Sequence, residues 1–343
     1  MRLQSVLCPL KWQHFYSPLN LHAGNIDMTT HTLNEYSQFL VDMPTIDKNA
    51  ASAAASRDSV LTKPAGALGR LEELAVWMSG WQRQHPPSYK EPQITIFAGN
   101  HGVCKQGISA FPQEVTHQMV VNFETGGAAI NQLAATFDAS FSVHALDLEN
   151  PTADFTEAPA MTEDECVKAL SAGWNAVNEE SDILVVGEMG IGNTTIAAAL
   201  SAALFGGTGA DWAGPGTGVN AEGVSRKARV IDDGLTLHAN INDDPLQVLQ
   251  HLGGRELAAM AGAILSARYK NVPVLLDGFV CCAAAAVLHK INPNALDHCI
   301  AAHVSAEPGH EALLRHLNKE PLLSLKMRLG EGSGAALALG IVK

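Results

Sequence analysis

Residues Val185–Leu200 read VVGEMGIGNTTIAAAL. An apolar strand runs into a glycine loop, and the loop runs into an alanine-rich helix. The strand starts at Asp182, as DILVVG, and its apolar residues follow one another without alternation. Such continuous strands belong to parallel sheets covered on both faces. Gly187, Gly192 and Thr194 fall on the GxxxxGK[ST] frame of a nucleotide-binding P-loop, but Asn193 stands where the lysine belongs. That lysine serves the β- and γ-phosphates of a triphosphate. Without it, and with Glu188 adding negative charge, the loop fits a monophosphate ester held by backbone N–H groups and a helix N-terminus. A tight βα turn with no ligand is the plainer alternative.

Outward from this stretch, further strands read at Ile94–Gly99 (ITIFAG), Ser140–Leu148 (SFSVHALDL), Val272–Gly278 (VPVLLDG) and, more weakly, Ala301–Ala306 (AAHVSA). Helical patterns run through Leu33–Val76, interrupted at Pro64, then Val115–Thr136, Cys166–Asn178, Thr194–Phe205, Glu256–Tyr269 and Phe279–His289. Strand–helix alternation predicts an α/β fold, a Rossmann-like three-layer domain around a parallel sheet. Ligands bind such sheets at the carboxyl ends of the strands. The loops there, AGNHGV, GEMGIGNTT, LDGF and SAEPGH, are rich in glycine and polar residues.

With 343 residues, 47% hydrophobic and 17% charged, the chain is long enough for one large domain and a smaller lobe. Its net charge of −13 argues against nucleic acid as a partner, because phosphate backbones need a basic face. The six cysteines, at 8, 104, 166, 281, 282 and 299, form no CxxC pair. They read as buried thiols of a reducing cytoplasm, with a redox role for Cys281–Cys282 as the sharper alternative. No apolar run reaches the roughly 18 residues of a membrane span. Residues 1–27 lack periodicity and make a poor signal peptide; they read as a disordered tail or an over-called start ahead of Met28.

Two more segments carry possible chemistry. AGPGTGVNAEGVSRK (Ala213–Lys227) is a second glycine loop that could bring backbone donors and a cation to the same anion. In MRLGEGSGAALALG (Met327–Gly340), Glu331 lies between two glycines at the start of an alanine-rich helix. A helix N-terminus favours an ionised carboxylate, and a held carboxylate is a candidate general base. A plain helix-capping glutamate is the alternative. His101, His303 and His310 lie in the same loops, but no HExxH or other zinc spacing occurs, so no metal and no cofactor is expected. There is no GxSxG elbow.

Several long segments, in order, resemble one family. They are KPAGALGRLEELA (Lys63–Ala75), Phe97–Ala134, GEMGIGNTT, GPGTG, VPVLLDGF, HVSAEPGH and PLLSLKMRLGEGSGAALAL. The chain from Leu61 onward is similar to nicotinate-nucleotide:dimethylbenzimidazole phosphoribosyltransferases, enzymes of cobalamin nucleotide-loop synthesis. The resemblance implies transfer of the 5-phosphoribosyl group of nicotinate mononucleotide to 5,6-dimethylbenzimidazole. It implies Glu331 as the base. Glu188, Gly190, Ile191, Gly192, Asn193 and Thr194 would line the ribose-phosphate site, completed by Gly216, Thr217, Gly218 and Lys227. Asn100, Gln113, Met189, Ser305, Met327 and Leu329 would lie at the base pocket, and Asp277 near the substrate. It further implies a homodimer and a small helical domain of residues 28–85 and 308–343 beside a large α/β domain of residues 86–307.

Three features depart from the family pattern. AGNHGV has Asn100 where the family has an acid, Lys105 replaces a small or apolar residue, and LENPTADFTEAPAMT (Leu148–Thr162) is short. These predict lowered efficiency or an altered acceptor, with the chemistry retained. A non-catalytic, nucleotide-binding paralogue is the rival reading, and intact Glu331 argues against it.

Overall fold

The computed structural model describes residues 32–241 and 243–343, so the expectations for residues 1–27 lie outside it. Five strands form one sheet: β1 (Pro92–Ala98), β2 (Ser140–Ala145), β3 (Ile183–Met189), β4 (Val274–Leu276) and β5 (Cys299–Ala301). Their order is β2-β1-β3-β4-β5, and every pair is parallel. The α/β parallel-sheet expectation is borne out. β1 is buried at all seven positions, and only Met189 of β3 is not fully buried.

Alternate residues of these strands feed two cores. Leu184, Val186, Val274 and Leu276 face α6 (Glu163–Ala176), α7 (Asn193–Phe205), α10 (Pro245–Leu252), α11 (Arg255–Tyr269) and α12 (Phe279–Ile291). Ile94, Ile96, Ile183, Val185 and Leu275 face α3 (Arg70–Trp81), α4 (Glu114–Glu124), α5 (Ala129–Thr136) and α14 (Ser333–Val342). The period of two in a strand sends neighbours to opposite faces, which makes the three layers. The preceding helices α1 (Leu33–Phe39) and α2 (Lys48–Ser59) pack on α6 and α10, and on α3, respectively.

Several boundaries differ from the sequence reading. Val115–Thr136 is two helices, because the chain turns at Gly126, which has φ +80°. The last strand ends at Ala301; beyond it Val304 N–H pairs with Leu323 O, and residues to Ser305 form a loop. The second glycine loop stops early, since α9 (Ala221–Leu237) begins inside it and carries Lys227. Asn220 caps that helix by accepting the Gly223 N–H. The short α8 (Gly209–Trp212) and α13 (Pro308–His316) complete the fold.

All fifteen residues of α11 are buried, so its polar groups find internal partners. Arg268 donates to Pro44 O at 2.6 Å and Asn294 O at 2.8 Å, and Ser266 donates to Trp174 O at 2.8 Å. Cys281 and Cys282 are both buried on α12 with free thiols, and burial pushes both up, as expected of packing cysteines. Helices α6 and α11 cross with backbones in contact: Gly173 lies against Ala259 O, and Gly262 against Leu170 O. A Cβ at Gly262 has nowhere to go but into backbone. Gly262→Ala should therefore cost roughly 2–3 kcal/mol in urea unfolding, and an unchanged midpoint would contradict this crossing.

Candidate active site

The end of β3 sets the first wall. Gly190 O accepts the Asn193 N–H at 3.1 Å, and Gly192 enters α7 at φ +90°. Ile191 N–H is held by Thr116 Oγ1 at 3.2 Å. The Asn193 amide, at the P-loop lysine position, turns inward and donates to the Glu188 carboxyl. It serves the protein's own acid.

The second wall is the Gly214–Gly218 turn. Lys227 Nζ donates to Thr194 Oγ1 at 2.9 Å and to Gly214 O at 3.1 Å. Thus α9 ties the turn to the start of α7. Gly216 has φ +56°, which favours glycine there. Arg328 donates to Gly216 O at 3.2 Å from the far side. Burial lowers the Lys227 ammonium, with Glu307 opposing the shift. Burial raises the Glu307 carboxyl, against the pull of Lys227, the Gly216 N–H and Arg328.

The third wall is the Gly330–Glu331–Gly332 turn. All three residues have positive φ, +79°, +61° and +73°. Glycine tolerates this; Glu331 does so at a cost of roughly 1–2 kcal/mol. The turn lies directly on β3: a Cβ at Gly187 would be 2.5 Å from Gly332 N and 2.7 Å from Glu331 C. A Cβ at Gly330 would strike the Glu188 carboxylate. Beneath the turn, Asp277 Oδ1 accepts the Ala335 N–H at 2.9 Å and lies 3.4 Å from His303 Nε2.

The acids divide by environment. Burial pushes Glu331 up to about 7, helped by the Asp277 charge. The helix N-terminus is expected to favour the ionised form; burial of a residue only 7% exposed shifts the carboxyl the other way. Burial also raises Glu188 well above the usual range, reinforced by Asp277, Glu256 and Glu331. Burial alone would raise Asp277, but the His303 ring 3.4 Å away and the N–H groups of Ala335 and Gly278 bring it below its usual value.

The three walls enclose a cavity of about 800 Å³ including its mouth. It brings together Glu188, Met189, Gly190, Ile191, Gly192, Asn193, Thr194, Gly216, Thr217, Lys227, Ser305, Leu329 and Glu331. Five other residues singled out in the sequence do not line it. Asn100 is buried and donates to Leu148 O at 3.0 Å. Gln113 donates to His101 O, Met327 O accepts the Ala306 N–H, Gly218 N–H bonds to Pro215 O, and Asp277 sits below the floor. Arg328, Glu307, His303 and Phe279 line the cavity and were not singled out as site residues. Arg328 is the only cation between Met327 and Gly340, which was a usable signal.

A family model described as phosphoribosyltransferase matches residues 43–343. A Cereibacter sphaeroides protein called nicotinate-nucleotide--dimethylbenzimidazole phosphoribosyltransferase is 59% identical over 301 residues, covering 88% of this chain and 89% of its own. One of that name from Roseobacter denitrificans is 59% identical over 312 residues, covering 91% and 92%. The crystal structure of CobT from Thermus thermophilus superimposes with a TM-score of 0.80 at 40% identity, covering 86% of this chain and 94% of that one. The chain belongs to the nicotinate-nucleotide--dimethylbenzimidazole phosphoribosyltransferase family. The resemblance read from the motifs is thereby borne out, and relatives named as enzymes favour the catalytic reading over the non-catalytic one.

The raised Glu331 carboxyl has a cost in stability. Its folded pKa exceeds its unfolded value, so the stability it gives is full below about 4.5 and is lost as pH rises through about 7. Glu331→Gln should therefore unfold at higher urea than the parent at pH 8, by up to about 3 kcal/mol, with the margin closing toward pH 4.5. A margin independent of pH would contradict the assignment.

Proposed function

We infer that this chain transfers the 5-phosphoribosyl group of nicotinate mononucleotide to 5,6-dimethylbenzimidazole or a related base. The products are α-ribazole 5′-phosphate and nicotinate, for the nucleotide loop of cobalamin. One observation carries the reading: the buried Glu331 carboxyl shares a cavity with Lys227 and Arg328, the cations that can hold a phosphate. The names of the relatives supply the substrates.

In this mechanism Thr194, Gly216, Thr217, Lys227 and Arg328 hold the 5′-phosphate. Nothing happens at phosphorus, so the phosphate is a handle whose binding energy orients C1′. One ring nitrogen of the acceptor attacks C1′ from the face opposite nicotinate. The bond from C1′ to the pyridinium nitrogen breaks, and its electron pair stays on that nitrogen, neutralising the pyridinium. No acid is needed for departure. The attacking ring becomes cationic and gives its N–H proton to Glu331. A base with a pKa near the working pH is efficient in that step. Glu188, whose carboxyl burial pushes up, lines the ribose side. Met189, Ser305 and Leu329 form the acceptor side, with Asn100, Gln113 and Met327 supporting it from behind; displacement from the opposite face turns the β linkage into α.

The reading extends to a homodimer in the cytoplasm and to the two-domain division at residues 85/86 and 307/308. Free thiols at Cys104, Cys166, Cys281, Cys282 and Cys299 accord with that compartment. Among the described residues no helix is long and apolar enough to cross a membrane.

Purified protein, nicotinate mononucleotide and a panel of benzimidazoles, purines and phenols should give nicotinate and a ribotide detectable by mass spectrometry. No product with any acceptor would refute the reaction. Glu331→Gln should lower kcat at least about 100-fold, the usual contribution of general-base catalysis; turnover within about threefold of the parent would remove Glu331 from that role. Lys227→Met should raise KM for nicotinate mononucleotide about 10-fold or more, since charged hydrogen bonds contribute about 1.5–3 kcal/mol. An unchanged KM would place the phosphate elsewhere.

A further inference from the structure

The Glu331 turn has no side-chain cap of its own, since Gly332 opens α14. The first turn of that helix is held instead from below. Asp277 leaves the end of β4 and its Oδ1 reaches the Ala335 N–H at 2.9 Å. His303, from the loop after β5, backs the same oxygen at 3.4 Å. Asp277 and His303 are 1% and 3% exposed, so neither is there for solvent. Gly334 packs on the His303 ring so closely that a Cβ would overlap it. Gly187 does the same under Glu331 and Gly332. Helix α14 is therefore docked on a carboxylate and an imidazole, without the space a longer residue would need.

We propose that Asp277, backed by His303, is a positioning residue that fixes the Glu331 turn and places a buried negative charge beneath it. This rests on the reading of Glu331 as the base. Asp277 lies outside the cavity lining, so it acts through Glu331 and not on substrate.

The charged and titratable groups around Glu331 come from every neighbouring element. Glu188 faces it from β3, Asp277 from β4 and His303 from the loop after β5. Arg328 lies in its own segment, and Lys227 of α9 and Glu307 line the same cavity. Among these, Asp277 is the neighbour that adds to burial in raising Glu331, and it stays ionised because His303 and two backbone N–H groups hold it there. Glu188 is itself pushed up, first by burial and then by the Asp277 and Glu256 charges.

Two variants of the full chain separate position from charge. Asp277→Asn keeps an acceptor for the Ala335 N–H and removes the charge. Asp277→Glu keeps the charge and shifts the oxygen by a methylene. The readout is the titration of the Glu331 carboxyl by infrared difference spectroscopy, each protein being subtracted from its own Glu331→Gln derivative. The midpoint should fall by about one pH unit in Asp277→Asn, the usual effect of losing a nearby like charge. The acidic limb of kcat/KM should move with it. In Asp277→Glu the midpoint should stay and kcat should fall about 10-fold or more, as expected of a misplaced base. An unchanged midpoint in Asp277→Asn overturns the proposal. So does a drop in melting temperature in both variants with midpoint and kcat as in the parent, since that is a purely structural role. The infrared titration needs no turnover, so an inactive parent refutes the proposed reaction without deciding the role of Asp277.

Discussion

Everything at this site depends on one close approach, the Gly330–Glu331–Gly332 turn resting on β3 at Gly187. Backbone meets backbone there, so a side chain on either surface would lift Glu331 off the sheet. The left-handed conformation of Glu331 is the local cost, and burial of its carboxyl is the consequence. Strain of this kind persists where the surroundings over-determine it. Here the surroundings are Gly187 below, Gly334 against His303, and Asp277 on the Ala335 N–H.

The electrostatics follow from the same packing. Glu188 and Glu331 lie near one floor in a low-dielectric site, where like charges resist ionising together. Lys227 and Arg328 line the same cavity and hold the glycine turn by its carbonyls. A cradle made of one lysine, one arginine and glycine N–H groups suits a group that must be held and not cleaved. Asn193 completes the contrast with a P-loop, because it bonds to the protein's own Glu188.

Much of this was legible in the sequence, and what was not has physical reasons. The continuous apolar strands gave the sheet because their burial on both faces is a local pattern. The glycine loops were readable because positive φ and close approach restrict the residue type. The helix break at Gly126 was lost inside an apolar pattern that continues across it. Gly223 and Ser225 in the first turns of α9 read as loop residues, although Lys227 lies on the helix. The start of α14 is visible in the sequence beside Glu331, whereas the burial and the Asp277 charge that raise its carboxyl come from parts of the chain distant in sequence. Asn100 and Gln113 were placed at the base pocket by resemblance; their side chains bind Leu148 O and His101 O, contacts that motif spacing does not encode.

The central claim is that a single buried carboxyl, poised near neutrality, takes the proton that the reaction releases. It is tested most directly by the pH dependence of kcat/KM for nicotinate mononucleotide, with the acceptor held saturating. The predicted result is a roughly tenfold rise per pH unit on the acidic side, levelling through one ionisation at about 7. A rate that stays level between about pH 5.5 and 8, where such a base must change state, would contradict it.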